Sequence, residues 1–245
     1  MSYSHNVKRH FSINQTEKKG WWITSGIIGL VTFFFIWRTT DFTLQTGALH
    51  FVIILLMSWL VLGVFLSSAK LIAIFKKYTA EYKSWLNGLL IGFVISFVSY
   101  GYIPVIFPGS IEVKTIERLR HGRVFPGENK TEISFILTGT IYATVLLTAI
   151  FQILYFVSDF IVFKYGLIMG ALIVFFAILP LPHNLGLHLF FVNRKRYYFI
   201  FGFALIFCIS SILGSPYSIL IAAAAGLVIF FLGKSDKINP LERKA

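Results

Sequence analysis

Long apolar stretches alternate with short polar ones along nearly the whole chain. The stretches 21–37, 49–68, 133–156, 165–181, 198–213 and 216–232 approach the roughly 20 residues that carry a helix across the hydrocarbon core. Backbone polar groups cannot be left unpaired in lipid, so each stretch predicts a membrane-crossing helix. Gly214-Ser215-Pro216 leaves almost no loop between the last two. Trp21, Trp22, Trp37, Trp85, Tyr197 and Tyr198 mark stretch ends, as expected of aromatic side chains at the interface.

A further stretch, 86–106, is long enough to cross but is interrupted by Asn87, Gly88, Gly92, Ser96, Ser99, Gly101 and Pro104. Charge decides how to read it. If it dips in and returns, 20 of the 22 lysines and arginines fall on one face, leaving only Arg38 and Lys164 on the other. If it crosses, that count drops to 9 against 13. The positive-inside rule favours the first arrangement. The expected fold is therefore all-α and polytopic, with six transmembrane helices, a re-entrant hairpin element at 86–106, and both termini cytoplasmic. A tail at 1–20, one membrane domain at 21–232 and a tail at 233–245 follow. The 107–132 loop predicts a short cytoplasmic β-hairpin. Ile111-Glu112-Val113-Lys114 alternates apolar and polar, and His121-Gly122 can turn it back toward Val124-Phe125. Ile116 and Leu119 at i, i+3 allow a short helix instead.

Composition agrees with a membrane protein. The chain is 57% hydrophobic and 13% charged, with mean hydropathy +0.79, whereas soluble domains are about 25% charged. The net charge of +12 borders apolar segments, which fits charge asymmetry across a bilayer and not a nucleic-acid surface. Lone Cys208 excludes a disulfide within the chain. No small-residue cleavage site follows 21–37, so a retained first span is expected. Asn14-Gln15-Thr16 and Asn129-Lys130-Thr131 match the glycosylation pattern only by chance, since both fall on the cytoplasmic face.

Zinc proteases carry His-Glu-x-x-His on one helix, and no such run exists here. His5 and His10 lie in the polar tail, and His50 opens the second span. His121 lies in the 107–132 loop. His183 and His188, five residues apart, project about 140° from each other on a helix, which is poor geometry for sharing one metal. No carboxylate lies within a predicted span, which argues against a transporter coupled through a mid-bilayer acid.

The order of the remaining fragments resembles the site-2 protease family of intramembrane zinc metalloproteases, especially its compact archaeal and bacterial members. Phe65-Leu66-Ser67-Ser68-Ala69-Lys70 falls where that family has His-Glu-Leu-Ala-His-Lys. Ala80-Glu81-Tyr82-Lys83-Ser84-Trp85 and Gly88-Leu89-Leu90 match its connecting pattern. Pro108-Gly109-Ser110-Ile111 is similar to its hairpin start, and Ile133-Ser134 through Gly139-Thr140 to its next core segment. The run from Ala177 through Pro180-Leu181-Pro182-His183-Asn184-Leu185-Gly186 is similar to its Asn-x-x-Pro-x-Pro-x-x-Asp-Gly motif. The resemblance covers about 50–190. It implies a multi-pass protein of a prokaryotic cell membrane.

The departures fall on the chemistry. The two histidine ligands correspond to Phe65 and Ala69, the glutamate base to Leu66, the aspartate ligand to Leu185 and the motif asparagine to Ala177. A catalytic zinc needs three protein ligands and an open position for its water. The resemblance thus implies a pseudoprotease with no catalytic residues, no metal ligands and no cofactor. Such a protein would bind or regulate transmembrane helices or single-pass membrane proteins, with Gly109, Ile111, Val113, Gly139, Pro180 and Pro182 as a candidate groove. Membrane lipid is an expected partner, and nucleic acid is not. Two alternatives remain. One is an active zinc protease with displaced ligands, using His183, His188 and Glu81 or His121. The other is a small permease or channel lined by 86–106, with Asn87 and Ser96.

Overall fold

The computed structural model describes residues 14–38, 44–76, 78–115 and 130–212. They form, in order, α1 (Gln15–Trp37), α2 (Leu44–Phe75), β1 (Tyr78–Lys83), α3 (Leu86–Val98), β2 (Ser110–Thr115), α4 (Lys130–Ser158), α5 (Ile161–Ile178), α6 (Leu185–Val192) and α7 (Arg194–Ile212). Among the described residues four helices, α1, α2, α4 and α5, are long and apolar enough to cross a membrane. This corrects the expected six. Stretch 216–232 lies outside the described residues. Helix α7 opens on Arg194, Lys195 and Arg196, which leaves its remainder short of a full crossing.

A capping box starts α1. The Asn14 side chain takes an amide of the first turn, and Glu17 accepts from the Asn14 N–H at 3.0 Å. The helix therefore begins six residues before the expected span, inside the segment assigned to the tail. Helix α2 has 32 residues, about 48 Å of length, and so extends well past 49–68 to include Lys70.

Helices α2, α4 and α5 pack on one another, with α1 against α2 and α7 against α5. Gly166 and Gly170, four residues apart on α5, face Phe151 and Thr148 of α4. A Cβ at Gly170 would stand 2.2 Å from the Thr148 hydroxyl. Small residues at this spacing let helix backbones approach in an apolar medium. The buried Thr140, Thr144 and Thr148 hydroxyls each donate to the carbonyl four residues back, so their polarity is satisfied within α4.

Only the first arm of the expected hairpin at 107–132 falls among the described residues. Strand β2 pairs antiparallel with β1, running from Tyr78↔Thr115 to Lys83↔Ser110, while 116–129, including His121, lies outside the described residues. Strand β1 has the period-2 pattern of a half-buried strand: Tyr78, Ala80 and Tyr82 point inward, and Thr79, Glu81 and Lys83 outward.

Because Lys83 pairs with Ser110, the intervening chain leaves the sheet and returns to it. Helix α3, at 13 residues, rises only about 20 Å. It ends in a turn where Tyr100 (φ 50°) and Gly101 (φ 77°) are left-handed, and the chain then runs back along it. Ser96 fastens the two arms: its hydroxyl donates to the Ile103 carbonyl at 3.1 Å and accepts from the Val105 N–H at 3.0 Å. Gly92 faces the Val105 carbonyl, 2.5 Å from where a Cβ would sit. Among the described residues, of the larger elements only α1 packs closely on α3, whose other face, with Leu90, Ile91, Val94 and Phe97, is exposed among them. Gly92 and Ser96 thus face the returning arm, whereas Gly88 meets the Trp85 ring and Asn87 is exposed.

Candidate functional site

Residues four apart on a helix share a face. Accordingly Phe65 and Ala69 of α2 are both 1% exposed, in the same apolar core as Ala177 near the end of α5 and Leu185 at the start of α6. Leu66, one residue on, is only partly buried and lines a different space. The first turn of α6 is pressed onto the end of α5, for a Cβ at Gly186 would stand 2.0 Å from the Ile178 carbonyl oxygen. Asn184 precedes Leu185. Its Nδ2 donates to the Phe176 carbonyl at 2.8 Å, while its buried Oδ1 has no partner among the described residues. Phe65, Ala69, Ala177 and Leu185 thus contribute hydrocarbon to the core.

Next to this core lies a polar cluster that the sequence reading missed. Lys70 and Glu17 form an ion pair at 2.7 Å, with side chains 8% exposed. The Glu17 carboxylate also accepts from the Tyr82 N–H at 2.8 Å and the Asn14 N–H at 3.0 Å. The cluster joins α1, α2 and β1. The buried Tyr82 hydroxyl donates to the Pro108 carbonyl at 2.7 Å and shares a hydrogen bond with the Thr24 hydroxyl at 2.9 Å. Burial pushes the titration of Tyr82 upward, so it stays a neutral donor. A cavity of about 150 Å³ adjoins, lined by Trp21, Gly63, Leu66, Ser67 and Tyr82. Two signals in the chain pointed here: the Asn14-x-x-Glu17 capping pattern, and Lys70 inside an otherwise apolar helix.

The candidate groove residues fall in three places. Gly109 and Ile111 are buried and Val113 half-buried around the sheet. Gly139 sits in the α2–α4 contact, where a Cβ would meet Ile72 at 2.6 Å. Pro180 and Pro182 are exposed on the turn between α5 and α6. The Trp85 ring, just beyond β1, lies 5.4 Å from the His183 ring, making the sheet and that turn neighbours. Gly139 belongs to internal packing.

His183 is exposed in the turn and His188 is exposed on α6. His50 meets the Tyr165 hydroxyl through Nδ1 at 2.9 Å, linking α2 to α5. Among the described residues no group of three or more His, Cys, Asp or Glu side chains is placed to hold a metal ion.

Strand β1 packs on α1 and α2, with β2 beyond it. The outer edge of β2 has no strand neighbour among the described residues. Diagonal ion pairs, Lys114 with Glu81 at 2.6 Å and Lys83 with Glu112, cover the outward face. The Glu81 carboxylate raises the Lys114 ammonium above its ordinary range.

No known protein-family model matches this chain, and neither does any curated protein or solved structure.

Proposed function

We propose that this chain is a non-catalytic integral membrane protein of the site-2 protease type, which binds or regulates membrane-embedded partners without cutting them. The observation that carries this reading is the burial of Phe65, Ala69 and Leu185 in one apolar core, at the positions where the resembling family holds its zinc. Polar ligands at such depth cost about 2.5–3.5 kcal/mol each on insertion scales. Without a metal, hydrophobes are the stable occupants.

The sheet-to-sheet return of 84–109 supports the re-entrant topology, with the sheet and both termini on the cytoplasmic side. Irregular backbone at membrane depth is tolerated where protein covers it, and α1 covers the inner side of this hairpin. Partner recognition is assigned to the outer edge of β2, which has no strand neighbour among the described residues. There an extended segment adds as a third strand, its backbone supplying general affinity.

Purified protein is expected to hold no stoichiometric zinc and to leave a single-pass reporter intact. A photocrosslinking residue in place of Glu112 is expected to trap that reporter. One zinc per chain, with reporter cleavage abolished by chelation, would overturn the proposal.

A further inference from the structure

The end of α1 and the tip of the α3 hairpin form a second cavity of about 760 Å³, an open cleft lined by Phe34, Trp37, Arg38, Phe97, Val98 and Tyr100. The cleft is well fixed. Gly101, with φ 77°, passes so close to α1 that a Cβ would stand 2.3 Å from the Phe34 carbonyl oxygen. The Phe34 and Phe97 rings also meet edge-to-face at 5.6 Å. The Arg38 guanidinium lies 3.9 Å from the centre of the Tyr102 ring, and Arg38 forms no ion pair among the described residues. Stacking uses the flat face of a guanidinium and leaves its in-plane N–H groups as donors for an oxyanion.

We infer that this cleft is a phospholipid site, holding an acyl chain against the aromatic wall and the phosphate on Arg38. The argument is one of matching polarity. The walls are apolar, Arg38 is the one cation among the lining residues, and it caps the C-terminal end of a helix long enough to cross a membrane. A lipid has the same layout: an uncharged chain capped by an anion. A partner's transmembrane helix would bury apolar side chains here but bring no anion to Arg38. Arg–phosphate pairing is bidentate and charge-assisted, which separates a bound lipid from one merely in passing contact. The inference does not depend on any resemblance to a protease.

The test is native mass spectrometry of the full chain released from phosphatidylglycerol/phosphatidylethanolamine vesicles, comparing wild type with Arg38→Gln, Val98→Trp and Lys164→Gln, each taken as the monodisperse fraction. Wild type and Lys164→Gln are expected to retain one phospholipid per chain. Arg38→Gln removes the phosphate contact and Val98→Trp fills the cleft, so each is expected to lower occupancy roughly tenfold or more. Equal retention by all four proteins would overturn the inference. So would wild type with no retained lipid, equal retention of diacylglycerol, or displacement of the lipid by an uncharged transmembrane peptide.

Discussion

Replacing Lys70 with methionine is expected to destabilise the fold by about 3–5 kcal/mol, because it strands a buried carboxylate without its counter-charge. Glu17 and Lys70 are each over nine-tenths buried and meet at 2.7 Å, so the variant leaves the carboxylate largely desolvated. A further change of Glu17 to glutamine should recover most of the loss. Glutamine carries no charge, and its carbonyl oxygen can still accept from the Tyr82 or Asn14 N–H. Unfolding in mixed micelles, followed by circular dichroism, gives both numbers. If the single variant costs under about 1 kcal/mol, the value typical of an exposed pair, the ion pair is not the fastening that joins α1, α2 and β1.

Replacing Gly101 with alanine is the second large effect, expected to cost about 2–4 kcal/mol. Two penalties combine. The left-handed backbone disfavours any residue with a Cβ, and that Cβ would press on the α1 backbone at Phe34. Backbone cannot rotate aside as a side chain can, so relief requires the hairpin tip to lift off α1. Limited proteolysis around 99–103 should accelerate along with the stability loss. Gly26→Ala in the same helix is the control, since nothing lies within 4 Å of its Cβ position. There alanine should be neutral or stabilising, given its better helix propensity. Equal effects at the two glycines would mean that the hairpin does not rest on α1 in this way.

These two contacts show what could be read from the chain and what could not. That the 86–106 run turns back on itself was legible, because Gly92, Ser96 and Gly101 interrupt an otherwise apolar run. Strand β2 was legible from its alternation, but its partner was not. Tyr78, Ala80 and Tyr82 alternate with Thr79, Glu81 and Lys83 just as clearly, but six residues of alternation do not say which strand they pair with. Pairing between residues some 30 positions apart leaves no local trace. The same holds for Lys70, which stands just beyond the apolar stretch 49–68. Its partner is 53 positions upstream, within a segment that read as tail. Asn14 looked like a chance glycosylation match, and its structural role is to cap α1. Of the six expected spans, 198–213 falls on α7, which is not among the four described helices long and apolar enough to cross, and 216–232 lies outside the described residues.

Of the candidate site, the apolar character of Phe65, Leu66, Ala69 and Leu185 was evident from the fragment order. Their burial was a consequence of packing: 65 and 69 share a face of α2, while 66 turns toward the cavity beside Lys70. That difference bears on the central claim, which concerns 65, 69 and 185 together. The most direct test is the zinc content of a monodisperse Phe65→His, Ala69→His, Leu185→Asp protein, measured by mass spectrometry after passage over a chelating column. If these positions surround a vacated metal pocket, the three changes should rebuild it and the protein should hold one zinc per chain. A folded triple variant that holds no zinc would contradict the account.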